Sequence, residues 1–86
     1  MAPWHVYIVR CTDGSLYTGI TRDVKRRVDE HNASNLLGAS YTRSRRPVTL
    51  VYWEPAESRS AASKREYQVK RMTRTEKNAL IARDGA

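Results

Sequence analysis

The sequence predicts an α/β fold of the α+β type, in which a small antiparallel sheet of three strands is flanked by helices. Two runs rich in β-branched and aromatic residues stand near the amino terminus with a turn signal between them, and a third run follows Pro47. The remaining segments carry apolar residues at helical spacing. The expected order of elements is therefore β-β-α-β-α-α. With 86 residues we expect one domain, residues 1–86.

The first two strands form a predicted hairpin across the loop Thr12-Asp13-Gly14. A two-residue Asp-Gly turn would pair Tyr7 with Ile20 and put Tyr17 on the opposite face of the sheet. A three-residue loop instead pairs Tyr7 with Gly19 and puts both tyrosines on one face. Glycine weakens a strand, and only the second register gives Gly19 a role, as space beneath the Tyr7 ring. We favour the second register for that reason. The two strands cover residues 4–10 and 16–21.

The first predicted helix covers residues 23–33 and begins at an aspartate N-cap. Val24 and Val28 mark its buried stripe. Arg27 lies three residues after Val24, and His31 lies three residues after Val28. We therefore expect both side chains to flank that stripe.

The carboxyl-terminal half contains the third strand and two more helices. We expect residues 34–47 to be irregular and residues 48–54 to form the strand. Ser58 opens a helix that reaches about Met72, and a capping box at residues 73–76 begins a separate last helix.

One carboxylate, Glu66, interrupts the apolar stripe of the second helix between Ala62 and Val69. A buried carboxylate must be paired or bound to a metal. A salt bridge to Lys70, one turn further on, is one explanation, and an exposed side chain is another. A functional role is the third.

The charge of the chain is strongly basic and unevenly distributed. Lysine and arginine number 16 against 9 acidic residues, and the net charge is +1 for residues 1–42 and +6 for residues 43–86. This excess favours a polyanionic partner, nucleic acid before an anionic membrane. A basic surface that only maintains solubility is the alternative, and charge alone does not distinguish DNA from RNA.

The cysteine content and the amino terminus indicate an intracellular protein. Cys11 is the only cysteine, which excludes an internal disulfide and a thiolate-rich zinc site. The first ten residues resemble neither a signal peptide nor a membrane span. We therefore expect a soluble cytoplasmic protein without a membrane partner.

Five polar side chains need places near one small sheet, and phosphodiester hydrolysis has a use for each of them. A divalent cation held by a carboxylate polarises the phosphate. A guanidinium binds the non-bridging oxygens in a two-pronged manner. A phenol or an imidazole positions and deprotonates the attacking water or assists the leaving oxygen. The five residues are Tyr7, Tyr17, Arg27, His31 and Glu66.

Three motifs resemble those of the GIY-YIG nuclease superfamily, and in particular its small stand-alone single-domain branch. They are VYIVRCTDGSLYTGIT, DVKRRVDEHN and KREYQVKRMT, and the resemblance covers nearly the whole chain in order and spacing. The family name joins two tripeptide motifs, GIY and YIG. At the position of the first motif this chain has His5-Val6-Tyr7, which keeps only the tyrosine. At the position of the second it has Tyr17-Thr18-Gly19, which keeps the tyrosine and the glycine.

The resemblance implies a role for each of the five side chains. Tyr7 and Tyr17 match the paired active-site tyrosines, and either of them can be the base. Arg27 matches the helix arginine that faces the scissile phosphate, and His31 matches a histidine found in many members. Glu66 matches the single carboxylate that binds one Mg²⁺ or Mn²⁺.

The implied activity is that of a metal-dependent endonuclease of DNA, with RNA not excluded, acting on branched, nicked or damaged structures in repair or recombination. Larger relatives attach domains that choose the target. Target choice here would fall to a partner protein, to DNA shape or to a basic surface. The residues expected to contact nucleic acid are Tyr41, Arg43, Arg45, Arg46, Lys70, Arg71 and Arg74. The alternatives are a nucleic-acid-binding module that keeps the fold without cutting, and a small basic ribosome-associated protein.

Overall fold

The computed structural model describes residues 3–33 and 39–85 and contains a three-stranded antiparallel sheet of order β2-β1-β3. The strands are β1 (Trp4–Arg10), β2 (Leu16–Thr21) and β3 (Thr49–Ala56). The helices are α1 (Val24–Ala33), α2 (Ser40–Arg43), α3 (Arg59–Lys70) and α4 (Arg74–Gly85). The predicted fold class is confirmed. In the described part of the chain no helix has the length and apolarity needed to cross a membrane.

Two stretches of the structure differ from the prediction. The segment expected to be irregular contains the short helix α2, while residues 34–38 lie outside the described residues. Four residues are too few for an apolar period, so the sequence gives no signal for α2. Strand β3 also continues through Pro55, beyond the predicted end at residue 54. Proline is tolerated there because β3 is an edge strand of the sheet.

The predicted starts of the three longer helices are confirmed by their caps. Asp23 Oδ1 accepts a backbone N–H from the first turn of α1 at 3.1 Å, and Ser58 Oγ accepts one from α3 at 3.0 Å. At α4, Thr73 N–H donates to Glu76 Oε1 at 2.8 Å and Glu76 N–H donates to Thr73 Oγ1 at 3.2 Å. This reciprocal pair is the predicted capping box.

Helices cover both faces of the sheet because successive side chains of the central strand β1 point to opposite sides. Tyr7 and Val9 belong to the apolar cluster on the α1 face. Ile8 belongs to the opposite cluster, with Val69 of α3 and Leu80 of α4. Burying each such side chain contributes about 1.5–3 kcal/mol. These two clusters hold α1 and α3 on opposite faces of one sheet.

Polar contacts fix the two helices against β3. The side chain of Asn32 donates to the Val48 carbonyl oxygen at 3.0 Å and accepts from its N–H at 2.6 Å. Arg65 Nε lies 3.1 Å from both carboxylate oxygens of Glu54. Both helices carry residues of the site described next, so these contacts limit how far that site can move.

Candidate active site

The hairpin register brings Tyr7 and Gly19 together. Tyr7 lies opposite Gly19 and Val9 opposite Tyr17, which confirms the three-residue loop. A Cβ added to Gly19 would lie 2.5 Å from Tyr7 Oη and 2.7 Å from Tyr7 Cζ, closer than two such atoms can approach. Gly19 therefore provides the space that the Tyr7 ring occupies against β2.

His31, in the last turn of α1, is fully buried. Its Nε2 lies 2.7 Å from Tyr7 Oη, and its Nδ1 lies 2.8 Å from Thr42 Oγ1 of α2. The Tyr17 ring packs edge-on against it, with 5.4 Å between ring centroids. The sequence places His31 beside the apolar stripe, whereas the structure places it inside. Because both ring nitrogens have partners, this burial leaves no polar atom of the ring unsatisfied.

The direction of these hydrogen bonds follows from Thr42. Its hydroxyl donates to the Ala39 carbonyl oxygen at 3.1 Å, so toward His31 it acts as an acceptor. The ring hydrogen of His31 therefore sits on Nδ1, and Nε2 accepts from Tyr7. The backbone N–H of Ala39 also points at Nδ1, but at 3.5 Å this contact is much longer than the 2.8 Å to Thr42 Oγ1.

Arg27 joins the same cluster from one turn earlier on α1. Its side chain hydrogen-bonds to Tyr7, and its Nη1 lies 3.0 Å from Glu30 Oε1. Tyr7 Oη thus accepts from Arg27 while it donates to His31. The Arg27 side chain is 25% exposed, so it lies at the boundary between the buried cluster and the surface.

Burial keeps both members of the Tyr7–His31 pair neutral at pH 7. Burial raises the pKa of Tyr7 to about 12, although the hydrogen bond and charge of Arg27 oppose the rise. Burial, with a smaller contribution from the positive charge of Arg27, lowers the pKa of His31 to about 4. The hydrogen bond between them joins a phenol and a neutral imidazole.

Tyr17 is the more accessible of the two phenols. It is partly exposed, whereas Tyr7 is 1% exposed. Its ring stacks on Tyr41 at 5.8 Å between centroids, and Lys70 Nζ lies 6.0 Å from its centroid. Tyr41 is covered in turn by the Arg45 guanidinium at 4.2 Å. Tyr41 therefore packs within its own domain, and its contact with a base stays a prediction.

Glu66 lies on α3 with 23% of its side chain exposed, so it is neither deeply buried nor fully solvated. Its Oε2 lies 3.2 Å from Lys70 Nζ, the ion pair expected from their spacing. Its negative charge also raises the pKa of Tyr7. The carboxylate of α3 therefore lies within electrostatic range of the phenol of β1.

A single carboxylate with an available oxygen fits a hard divalent cation. Within residues 3–33 and 39–85, no three or more His, Cys, Asp or Glu side chains gather as a metal site. Among these same residues Glu66 Oε1 has no hydrogen-bond partner. Mg²⁺ often binds proteins through one or two carboxylates and completes its shell with water and substrate phosphate. Glu66 meets that requirement.

Two of the predicted nucleic-acid contacts hold the hairpin loop instead. Arg45 Nε lies 3.0 Å from Asp13 Oδ2, and its Nη1 donates to the Tyr41 carbonyl oxygen at 2.7 Å. Arg74 Nη2 donates to the Gly14 carbonyl oxygen at 2.9 Å. Their guanidinium groups are thus engaged within the domain, and a contact with phosphate would have to share them.

The other predicted contacts lie at the surface. Arg43, Lys70 and Arg71 are exposed, and Arg46 is half-buried with its Nε on the Arg43 carbonyl oxygen at 3.0 Å. Arg71 Nη1 lies 2.6 Å from Tyr67 Oη. For these four residues contact with nucleic acid stays a prediction.

Sequence reasoning missed two residues of the site. Thr42 fixes the tautomer of His31, but it lies on the four-residue helix α2, for which the sequence has no signal. Glu30 pairs with Arg26 at 3.2 Å and with Arg27 at 3.0 Å. Its position four and three residues after these arginines was a usable signal.

Comparison with protein families assigns a class to this fold and site. Residues 3–79 match the model of the GIY-YIG catalytic domain, and the chain belongs to that family. The GIY-YIG family is a nuclease family, so the resemblance seen in the sequence is confirmed.

Several relatives of this chain, among them curated sequences and a solved structure, carry the designation UPF0213. The chain is 59% identical to a UPF0213 protein of Desulfotalea psychrophila, over 91% of this chain and 70% of that one. It is 54% identical to one of Halobacterium salinarum, over 90% and 97%. The solution NMR structure of a UPF0213 protein from Bacillus halodurans matches with a TM-score of 0.62 and 42% identity, over 96% of this chain and 86% of that one. The fold is therefore shared with a solved structure of this group.

Proposed function

We propose that this protein is a metal-dependent endonuclease that hydrolyses phosphodiester bonds in DNA. Its active-site residues would be Tyr7, Tyr17, Arg27, His31 and Glu66. The observation that supports this proposal best is the convergence on Tyr7, which hydrogen-bonds to His31 at 2.7 Å, hydrogen-bonds to Arg27 and lies within electrostatic range of Glu66. The nuclease class of the family supports the type of reaction.

Glu66 would hold one Mg²⁺ or Mn²⁺. When bound, such a cation polarises the scissile phosphate and offsets the charge that develops on its oxygens. Lys70 now pairs with the same carboxylate, and its side chain is 51% exposed. Exposed ion pairs contribute at most about 1 kcal/mol. Exchange of Lys70 for a divalent cation would therefore cost little.

Tyr7 and Tyr17 would have different tasks. Tyr7 is buried and its hydroxyl already accepts from Arg27 and donates to His31. It is suited to orient the guanidinium of Arg27 toward a phosphate. Tyr17 is partly exposed and lies beside Lys70, so its hydroxyl is the better placed of the two to contact the attacking water.

The substrate in this proposal is branched, nicked or damaged DNA met in the cytoplasm during repair or recombination, and a partner protein would select the target. The net charge of +7 and the exposed residues Arg43 and Arg71 support a polyanionic substrate. DNA rather than RNA rests on the family resemblance.

The proposal is tested by comparing wild type with Glu66→Gln on labelled single-stranded, flapped, nicked, branched and duplex substrates, each with and without Mg²⁺ or Mn²⁺. We expect wild type to cut at least one substrate only with metal, and Glu66→Gln to lose roughly 100-fold or more of the rate. DNA affinity should survive or rise, because a negative charge is removed. Glu57→Gln, an exposed carboxylate just before α3, is the matched control and should cut normally.

A nucleic-acid-binding module on the same fold is the second candidate, supported by the basic surface alone. It requires that neither wild type nor Glu66→Gln cuts any substrate with metal. In both cases, replacing Arg43 and Arg46 by glutamine should weaken binding and flatten its salt dependence. Affinity that is indifferent to salt and to these arginines would remove the basic surface from either account.

A further inference from the structure

A second basic surface, absent from the sequence predictions, opens beside Arg27. It is a groove of about 490 Å³ between the start of β1, the end of β2, α1 and the start of α3. Trp4, Arg22 and Arg59 line it together with Arg27. Because Arg27 also hydrogen-bonds to Tyr7, the groove and the candidate active site share a side chain.

The groove is positive, and part of its charge is unneutralised. Four arginines and two acidic residues line it. Both acids are engaged: one caps α1, and Glu30 pairs with Arg26 and Arg27. Arg22 and Arg59 are exposed and form no ion pair with any other residue that the structure describes. These two guanidinium groups are available to phosphates.

The groove also has an aromatic wall. The Trp4 ring is partly exposed, and Arg59 Cζ lies 5.7 Å from its centroid. Aromatic rings beside arginines are the surfaces on which unpaired bases stack, at about 1–3 kcal/mol per base. In a duplex the bases are already stacked on one another, so only an unpaired base can lie on such a ring.

We propose that this groove binds the unpaired strand next to the scissile phosphate, with one base stacked on Trp4 and adjacent phosphates on Arg22 and Arg59. This inference rests on the proposed nuclease function and specifies its substrate class, a nucleic acid with a single-stranded segment. Along α1 the groove is lined by Arg26, Arg27 and Glu30, and Arg27 also belongs to the candidate active site.

The fluorescence of Trp4 provides a direct test. The chain has two tryptophans, so Trp53→Phe leaves Trp4 as the only one. In a Trp53→Phe/Glu66→Gln variant with EDTA, a 12-nucleotide single strand should quench the Trp4 emission saturably. A blunt duplex of the same sequence should leave the emission within a tenth of its starting value.

Charge variants give the second measurement. Arg22→Gln/Arg59→Gln should weaken binding of the single strand at least tenfold and reduce the slope of log affinity against log salt by about 1.4, or 0.7 for each phosphate contact. Arg10→Gln is the matched control, since Arg10 is exposed at the other end of β1 from Trp4. It should change affinity less than twofold.

Two results would overturn the inference: unchanged Trp4 emission at saturating single strand, or an Arg10→Gln effect equal to that of Arg22→Gln/Arg59→Gln. If wild type still cuts with metal in that case, the nuclease proposal stands while the groove assignment fails. If Trp4 is quenched but wild type cuts nothing, the groove binds single strands and the nuclease proposal fails.

Discussion

The two halves of the candidate site are built differently. Around Tyr7 and His31 the polar contacts are buried or partly buried and are satisfied within the domain, through Arg27, Thr42 and the Ala39 carbonyl oxygen. Glu66 and Lys70 form a half-exposed ion pair on one helix. Buried hydrogen bonds resist change because an unpaired partner costs about 1–3 kcal/mol, whereas exposed ion pairs exchange readily. The first half is suited to hold geometry and the second to exchange ligands.

In the half of the site around Tyr7 and His31, a large loss of stability is expected from Gly19→Ala. The new Cβ would overlap the Tyr7 ring, which cannot move without breaking its bond to His31. We expect a loss of about 1–3 kcal/mol in the free energy of unfolding, measured by denaturant titration. Tyr7→Leu removes the overlapping atoms, so Gly19→Ala should cost less stability in the Tyr7→Leu background than in wild type. An equal cost in both backgrounds would show that the overlap is not its cause.

The pH dependence of stability tests the neutral Tyr7–His31 pair. His31 has a pKa of about 4 in the fold against 6.5 in the unfolded chain, so the unfolded state binds more protons in that window. Stability should therefore fall by about 3 kcal/mol as the pH drops from 6.5 to 4. Tyr7, with a pKa raised from 10 to about 12, should make stability fall as the pH rises above 10. Denaturant titrations across pH measure both.

Single variants separate the two arms of this profile. His31→Gln should flatten the acid arm, and Tyr7→Phe should flatten the alkaline arm. A His31→Gln protein that keeps the wild-type acid slope would assign that slope to another group.

A loss of stability in the same range as that of Gly19→Ala is expected from Thr42→Val. This change removes the acceptor for His31 Nδ1–H at 2.8 Å and leaves that hydrogen unpaired in the core, at about 1–3 kcal/mol. Thr49→Val, at an exposed position of β3, is the matched control and should be nearly neutral. In NMR spectra, loss of the Nδ1–H tautomer of His31 should accompany the Thr42→Val change. An unchanged tautomer would show that Thr42 does not set it.

The smallest effect on stability is expected from a change in the Glu66–Lys70 ion pair. Lys70→Met removes an exposed ion pair and should change the unfolding free energy by less than about 1 kcal/mol. Apparent Mn²⁺ affinity should nevertheless rise severalfold, because Glu66 loses its competing cation, and calorimetry measures this. Arg71→Met, the next residue along, should leave the affinity unchanged. Weaker Mn²⁺ binding by Lys70→Met would contradict exchange at Glu66.

Features fixed by short-range patterns were predictable from the sequence. The hairpin register follows from the space that Gly19 must provide, and the helix starts follow from the caps at Asp23, Ser58 and Thr73. The Glu66–Lys70 ion pair follows from a spacing of four residues. Each of these three features depends only on residues close together in the sequence, within one helix or across one turn.

Features that depend on distant segments were not predictable. The burial of His31 depends on Thr42, whose helix has no period to read. The engagement of Arg45 and Arg74 depends on carboxylate and carbonyl oxygens of the β1–β2 loop. The groove at Trp4 requires three separated segments to meet. An excess of charge predicts a basic surface without stating which arginines remain free to form it.

Paramagnetic broadening by Mn²⁺ tests most directly whether Glu66 is the exchangeable ligand beside the phenol cluster. In NMR spectra of the whole chain, substoichiometric Mn²⁺ should broaden the signals of Glu66, Lys70 and the Tyr17 ring most strongly, and Glu66→Gln should abolish this pattern. Broadening that is strongest around another carboxylate, or that is unchanged in Glu66→Gln, would contradict a cation site at Glu66.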